Sequence, residues 1–171
     1  AISIVNALHQ VHQQHLIHKD INPSNILWNP QTQQVKLIDF GISTQLSREQ
    51  SALSNPEVLE GTLRYISPEQ TGRMNRAIDY RTDFYSLGVT FYQMFTGKLP
   101  FLGEDAMELV HAHLAKTPSL PHQVNSVLPE VLSQIILKLM AKTAEERYQS
   151  TLGLKTDLQR CLDQLHSQGK I

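Results

Sequence analysis

The chain has 171 residues, of which 40% are hydrophobic and 18% charged, and its net charge is −1. This balance is ordinary for a globular protein with one core, and it argues against nucleic acid or an anionic membrane as the main partner. The single cysteine, Cys161, excludes an intramolecular disulfide and fits a reducing compartment, for which we expect the cytoplasm. No apolar run approaches the ~20 residues of a membrane-spanning helix, so we expect no membrane insertion.

The first predicted element is a helix over residues 2–14, which leads into a polar loop. Its apolar positions recur at nearly helical spacing: Ile2, Val5, Leu8 and Val11. His9, His12 and His15 lie on or near the other, solvated face, with no cysteine or carboxylate close to them in the sequence. We therefore interpret these histidines as surface residues rather than metal ligands.

The polar groups best suited to chemistry are Asp20, Asn25 and Asp39. Two β-rich runs, at 26–28 and 35–38, flank a polar turn, which predicts a hairpin that returns Asp39 to the side of Asn25 and Asp20. A loop carboxylate followed by a hairpin and a second carboxylate suits Mg2+ and a phosphate. Mg2+ takes one or two hard oxygen ligands from a protein, while phosphates and water complete its shell.

The remainder of the chain predicts one loop and a set of helices. Residues 42–60 are rich in serine and lack apolar periodicity, which predicts a mobile loop. Residues 70–81 carry three arginines and are interpreted as a solvated basic connection. Residues 79–97 are apolar nearly all round and predict a buried helix, in which Asp83 lies near the start and is placed to cap it.

Three further helices are predicted after this one, at residues 104–116, 129–141 and 152–165. Side chains expected to face inward on the buried helix and on the last two include Met94, Val131 and Leu162, and Cys161 is expected to be a small core residue. Because the only predicted strands are those of the hairpin, the fold should be mainly α.

The polar stretch around the hairpin resembles the protein kinases in residue types and spacing. The His-Lys-Asp at residues 18–20 together with Asn25 resembles the catalytic loop of that family. The Asp-Phe-Gly at residues 39–41 matches the metal-binding motif without change.

Motifs further along resemble the same family in the same order. The Gly-Thr at residues 61–62 and the Ser-Pro-Glu at 67–69 resemble the end of the activation segment. Asp83 resembles the buried aspartate that holds the backbone of the catalytic loop, and Arg147 the arginine that pairs with Glu69. The resemblance implies a mainly α large lobe, a helical bundle with a small β-hairpin at the active site. Its implied parts are a catalytic loop at 18–25, a metal-binding motif at 39–41, an activation segment at 39–69 and a helical subdomain at 79–168.

The resemblance also implies a role for each residue of the site. Asp20 would orient a substrate hydroxyl and accept its proton, and Thr62 would help to fix Asp20. Asn25 and Asp39 would hold Mg2+ together with the phosphates of ATP. Leu27 would lie under the adenine ring. His18 and Phe40 would pack beneath the site as scaffold.

Two residues depart from the family pattern. Asn22 occupies a position where serine/threonine kinases usually carry a lysine that contacts the transferred phosphate, so transition-state stabilisation could be weaker. Lys19 replaces the arginine that often pairs with a phosphorylated activation segment, which leaves regulation by phosphorylation open. Asn22 is therefore a further candidate site residue, and Thr62 still favours serine/threonine specificity.

The motifs leave three hypotheses for function. The first is ATP-dependent phosphoryl transfer to serine or threonine hydroxyls of proteins; the alternatives are a pseudokinase-like docking module and a non-functional truncation. No Gly-x-Gly-x-x-Gly occurs in the chain, so we interpret it as a large lobe whose small lobe is absent and which is inactive by itself. The catalytic-loop variant is similar to kinase domains at the head of large bacterial multidomain signalling proteins, so further signalling domains are the other expected partners.

Overall fold

The computed structural model describes residues 1–40 and 63–168. The helices are α1 (Ile2–Gln13), α2 (Arg81–Thr96), α3 (Ala106–Ala115), α4 (Pro121–Val124), α5 (Glu130–Leu139) and α6 (Thr151–Gln168). The strands are β1 (Ile26–Asn29) and β2 (Gln34–Leu37), and short 3-10 turns occupy Pro23–Asn25, Pro68–Thr71 and Ala144–Glu146. This architecture confirms a mainly α fold with one small hairpin. The short helix α4 and the 3-10 turns were not predicted from the sequence.

The hairpin is antiparallel and pairs Ile26 with Leu37 and Trp28 with Val35. Its turn is held by Asn29, whose Oδ1 accepts the backbone N–H groups of Gln31 and Thr32 at 2.9 and 3.2 Å. Strand β2 packs against α1, so the face with Leu37 is covered. The hairpin therefore turns the chain back on itself directly after the catalytic loop.

Helix α2 is the centre of the core, as predicted for residues 79–97. Its side chains from Thr82 to Tyr92 are all buried. Gly88 allows α5 to approach closely, because a Cβ at this position would lie 2.7 Å from Leu139 Cβ and 2.8 Å from Met140 Cγ. The helix ends at Gly97, whose φ of +72° suits a residue without a side chain.

Three expectations about inward-facing side chains are wrong. Met94, Val131 and Leu162 are exposed, Val131 by 50%. Met94 lies on the last turn of α2, where the helix emerges from the core. Val131 and Leu162 each neighbour a buried residue, Leu132 and Cys161, and lie ~100° around the helix from it, on the side that faces solvent. Cys161 is buried, as expected.

The first and last helices, α1 and α6, pack against each other, and α1 also contacts strand β2 of the hairpin. Val5 and Leu8 of α1 and Leu154 of α6 are fully buried there. None of the helices in the described residues is long and apolar enough to span a membrane.

Candidate active site

The loop of residues 18–25, called the catalytic loop below, is anchored to the buried carboxylate of Asp83. Asp83 Oδ2 accepts the backbone N–H of His18 at 2.9 Å, and Oδ1 accepts that of Lys19 at 2.7 Å. These bonds confirm that Asp83 holds the loop backbone. The expected capping role is wrong, because the N-cap of α2 is Tyr80 and has no side-chain hydrogen bond.

His12 contacts the same carboxylate, which corrects its interpretation as a surface residue. Its Nε2 lies 2.8 Å from Asp83 Oδ2, and its ring meets those of Tyr80 and Phe84 edge to face at 5.7 and 5.6 Å. Asp83 is 71 positions further along the chain, so no local pattern could have revealed the partner. The described residues contain no group of three or more His, Cys, Asp or Glu side chains that could hold a metal.

His18 links the catalytic loop to the residues before Asp39. Its Nδ1 accepts the backbone N–H of Asp20 at 3.3 Å, so the ring proton belongs on Nε2, which donates to the carbonyl of Ile38 at 2.9 Å. The ring of Phe40 lies 4.7 Å from that of His18, centre to centre. The buried His18 thus packs beneath the site as the sequence predicts, whereas Phe40 contacts it but is 48% exposed.

Gln70 ties the end of the activation segment to the catalytic loop, a role that sequence reasoning missed. Its Nε2 donates to the carbonyl of Lys19 at 2.7 Å, and its Oε1 accepts from the backbone N–H of Ser67 at 3.1 Å. The Ser-x-x-Gln spacing of Ser67 and Gln70 is a capping-box pattern and was the available signal. Lys19 has a φ of +66°, a conformation that these contacts hold in place.

Asp20 is held between two asparagine side chains. Asn22 Nδ2 donates to Asp20 Oδ1 at 3.0 Å, and Asn25 Nδ2 donates to Asp20 Oδ2 at 2.9 Å. Each amide also donates to the backbone carbonyl of Asp20, at 3.2 and 2.8 Å respectively. Both oxygens of the carboxylate are thus paired with a neutral donor, which fixes the plane of the carboxylate.

The oxygen of the Asn22 side chain has a separate partner. Asn22 Oδ1 accepts the backbone N–H of Ser24 at 3.0 Å, so Asn22 caps the 3-10 turn Pro23–Asn25. The side chain is buried, with 8% of the residue exposed. The structure therefore brings Asn22 to Asp20 through its nitrogen and to the loop backbone through its oxygen.

The hairpin brings Asp39 to the same place. Ile38 donates its backbone N–H to the carbonyl of Asn25 at 3.0 Å, and the following Asp39 is exposed, with a φ of +60°. Burial raises the pKa of Asp20, the amide N–H groups of Asn22 and Asn25 oppose that rise, and the charge of Asp39 adds to it. The bond between Ile38 and Asn25 thus places the backbone at Asp39 beside the loop that carries Asp20.

The chemistry of this donor set fits Mg2+ shared with a ligand. The Asn25 nitrogen is engaged by Asp20, so the amide oxygen is the atom that a cation would use, together with a carboxylate oxygen of Asp39. Amide and carboxylate oxygens are the hard ligands that Mg2+ takes in proteins. Two such ligands leave most of an octahedral shell to phosphates and water.

Leu27 lies on β1 beside the catalytic loop and is 52% exposed, while its neighbour Trp28 is 60% exposed. Adjacent strand residues point to opposite faces, so both faces of the hairpin present apolar surface at this edge. Thr62, Gly61 and the loop at 42–60 lie outside the described residues, so the interpretation of that loop as mobile and the role of Thr62 remain predictions.

Glu69 and Arg147 form a buried, two-pronged ion pair that joins the end of the activation segment to the helical subdomain. Arg147 Nη1 and Nη2 donate to the two oxygens of Glu69 at 2.6 and 2.8 Å. Their side chains are 0% and 5% exposed. This confirms the pair that the motifs predict.

The arginines of residues 70–81, which the sequence predicts to lie in a solvated connection, differ in their exposure to solvent. Arg76 pairs with Glu145 at 2.6 Å in an exposed contact, and Arg81 pairs with Asp79 at 2.7 Å in a half-buried one. Exposed pairs of this kind contribute little to stability. Their interpretation as a surface feature holds for Arg76, whereas Arg81 is largely covered.

Comparisons with known proteins place this geometry in a family. Residues 1–159 match the family model described as the protein kinase domain. The chain is 36% identical over 164 residues, 94% of its length, to the serine/threonine-protein kinase PknB of Mycobacterium leprae. It is 34% identical over 157 residues, 92% of its length, to a probable serine/threonine-protein kinase PknB of Bifidobacterium longum.

Another relative belongs to a different class of signalling protein. Over 98 residues, 57% of the chain, the sequence is 51% identical to the hybrid signal transduction histidine kinase G of Dictyostelium discoideum. The chain spans only 3% of that protein, 22% of the Bifidobacterium kinase and 26% of the Mycobacterium kinase. All three relatives are thus much longer than the chain.

Proposed function

This chain belongs to the protein kinase domain family, and from that premise we propose that it is the large lobe of an ATP- and Mg2+-dependent kinase that phosphorylates serine and threonine hydroxyls of proteins. The observation that carries the proposal is the arrangement of Asp20. A carboxylate in a backbone-anchored loop, fixed by two amides beside a second carboxylate, suits proton acceptance next to a phosphate site.

Asp20 is proposed to receive the proton of the attacking hydroxyl. Phosphoryl transfer depends mainly on positioning and on neutralising the charge of the transferred group, so the fixed carboxylate supports this role. Burial raises the pKa of Asp20, which brings its basicity closer to the operating pH of a general base. The loop anchor at Asp83 holds the backbone on the N-terminal side of this carboxylate.

Asn25 and Asp39 are proposed to hold Mg2+ and, through it, the phosphates of ATP. Bound Mg2+ neutralises charge on the phosphates during transfer. The two ends of the Asn25 amide have different partners: the nitrogen donates to Asp20, and the oxygen is proposed to face the cation. Leu27 is proposed to support the adenine from the exposed edge of the hairpin, where a small lobe would cover it.

Several features support serine or threonine as the acceptor and a protein as the substrate. The relatives that span almost the whole chain are named serine/threonine-protein kinases. Thr62 fits the same specificity by its motif. We propose that the kinase acts in the cytoplasm as one part of a longer signalling protein, with the small lobe as its first partner.

A pseudokinase-like docking role is the second candidate, and Asn22 is the residue that favours it. A neutral amide at this position cannot supply the positive charge that the family usually places there. The retained set of Asp20, Asn25 and Asp39 favours catalysis, because a docking module does not require these residues together.

The test is phosphorylation by the complete protein, residues 1–171 with their small lobe, of a mixed protein substrate in the presence of radiolabelled ATP and Mg2+. Analysis of the labelled amino acids is expected to find phosphoserine and phosphothreonine. Transfer to tyrosine alone would contradict the acceptor class. No transfer by a folded, ATP-binding protein would favour the docking role.

A further inference from the structure

We propose that Asn22 is a positioning residue, which clamps the Asp20 carboxylate between itself and Asn25. This inference rests on the proposed phosphoryl transfer. It assigns the neutral residue at this position a role of its own, where the family comparison alone predicts a defect.

The orientation of the Asn22 amide is set by its partners. The backbone N–H of Ser24 can only donate, so the atom 3.0 Å from it must be the side-chain oxygen. The nitrogen then faces two acceptors of Asp20, its Oδ1 at 3.0 Å and its backbone carbonyl at 3.2 Å. A flipped amide would place an oxygen against both acceptors and lose all three bonds.

Asn22 and Asn25 act on different oxygens of the same carboxylate. Asn25 Nδ2 holds Oδ2 at 2.9 Å while Asn22 Nδ2 holds Oδ1 at 3.0 Å. A single donor would leave the carboxylate able to rotate about its Cβ–Cγ bond, whereas two donors on opposite oxygens fix it. A fixed carboxylate presents its remaining lone pairs to a substrate hydroxyl in one direction, which favours transfer by reducing the loss of entropy at the reacting atoms.

The burial of Asn22 separates this role from direct contact with a phosphate. Only 8% of the residue is exposed, and both ends of its amide are engaged within the loop. Asn22 therefore acts through Asp20, and its removal should affect the chemical step rather than the binding of ATP.

Replacement of Asn22 by serine separates its two functions. Serine can still accept the Ser24 N–H as an N-cap, but its short side chain has no amide donor for Asp20. In the complete kinase, Asn22→Ser is expected to lower kcat ~10–100-fold, the loss typical of one hydrogen bond to a charged group, with unchanged KM for ATP and unchanged melting temperature. Unchanged kcat in Asn22→Ser, with an active wild type, would overturn the proposal.

Asn29→Ser is the matched control. Asn29 also accepts backbone N–H groups through Oδ1, at 2.9 and 3.2 Å, but in the exposed turn of the hairpin. The same chemical change at this position should leave kcat unchanged. An equal fall in kcat in both variants would show that an asparagine-to-serine change near the hairpin is sufficient by itself, and would overturn the specific role of Asn22.

A double variant tests whether Asn22 acts through Asp20. In an Asp20→Ala background the carboxylate is gone, so adding Asn22→Ser should cause no further loss in the single-turnover rate. A further loss as large as that in the wild-type background would place the effect of Asn22 elsewhere.

One measurement does not depend on activity. In NMR spectra of the 15N-labelled complete kinase, the side-chain amide signals of Asn22 should shift when Asp20 is replaced by alanine, because the amide loses a charged acceptor. Unshifted signals would overturn the clamp even if phosphoryl transfer is found. If the complete wild-type protein transfers no phosphate while these signals do shift, the proposed function fails and the clamp stands.

Discussion

Breaking the ion pair between Glu69 and Arg147 should be among the most destabilising single changes in the fold. Arg147→Met leaves a carboxylate buried without its partner, at an expected cost of about 3–5 kcal/mol in the free energy of unfolding. The guanidinium also donates to the carbonyls of Ala141, Arg81 and Lys142 at 2.8, 3.0 and 3.1 Å, and these acceptors would lose a donor too. The upper part of the range is therefore expected.

The pH dependence gives the loss an independent signature. Burial tends to raise the pKa of Glu69, but the hydrogen bonds and charge of Arg147 outweigh it, so this pKa lies below its usual value of 4.5. A carboxyl whose pKa is lowered in the folded state stabilises the protein at pH values above its unfolded-state pKa. This contribution is lost as the pH falls through the folded-state pKa. In Arg147→Met the effect of burial on the pKa of Glu69 is no longer opposed, so the difference between wild type and variant should be largest near pH 7 and shrink as the pH falls towards and then below 4.5.

Urea unfolding followed by circular dichroism measures both quantities. Arg160→Met is the matched control, because Arg160 is 75% exposed and its carboxylate partner Asp157 lies 3.9 Å away. The free energy of unfolding of that variant should differ from that of wild type by less than about 1 kcal/mol. A free energy of unfolding that is unchanged in Arg147→Met would refute the assignment of a buried, unscreened pair.

Three other predictions concern packing, acid stability and the catalytic loop. Gly88→Ala should destabilise the fold by about 1–3 kcal/mol, since its Cβ would lie 2.7 Å from Leu139 Cβ. Gly153→Ala should not, because the nearest atom to its Cβ is Ser150 Oγ at 3.4 Å. Equal melting temperatures for Gly88→Ala and wild type would contradict this packing. Burial, and to a smaller extent the charge of Lys142, lowers the pKa of His113 to about 4. Between pH 6.5 and pH 4 the unfolded state therefore binds more protons than the folded state, and the free energy of unfolding should fall by about 3 kcal/mol over that range. His113→Gln should flatten that part of the profile in urea titrations, whereas the exposed His166→Gln should not; a wild-type slope in His113→Gln would exclude His113 as its source. Asn22→Lys should not raise kcat, because lysine cannot accept the Ser24 N–H; a clear rise would support the interpretation of a weakened site.

Local sequence patterns were sufficient to predict most of the helices and the hairpin. The two β-rich runs around a polar turn predict the hairpin, and the all-round apolar stretch at 79–97 predicts the buried helix α2 within two residues at its start. These succeed because hydrophobic periodicity is a property of neighbouring residues. Val131 and Leu162 were wrongly predicted to face the core because each is an apolar residue beside a buried one. Apolar character alone does not determine which of two neighbouring residues faces the core.

Long-range pairings divided into those with a motif and those without one. The Glu69–Arg147 pair spans 78 positions and was predicted only because both residues stand in family motifs. His12 and Asp83 are 71 positions apart, and His12 was misinterpreted because it lies near the polar face of α1 and has no carboxylate close to it in the sequence. The clamp on Asp20 is local, but it depends on which end of the Asn22 amide faces the loop, and this follows only from the positions of Ser24 and Asp20 in space.

The most direct test of the account is the rate of phosphate transfer from radiolabelled ATP to a serine-containing protein, compared between the complete wild-type kinase and its Asp20→Asn and Asp39→Asn variants. Each replacement is nearly isosteric, so the melting temperature should change little, while the rate should fall at least ~100-fold through loss of the base or of the metal ligand. Asp163→Asn, at an exposed position on α6, should retain the wild-type rate. Near-normal transfer by Asp20→Asn or Asp39→Asn would contradict the assignment of the active site.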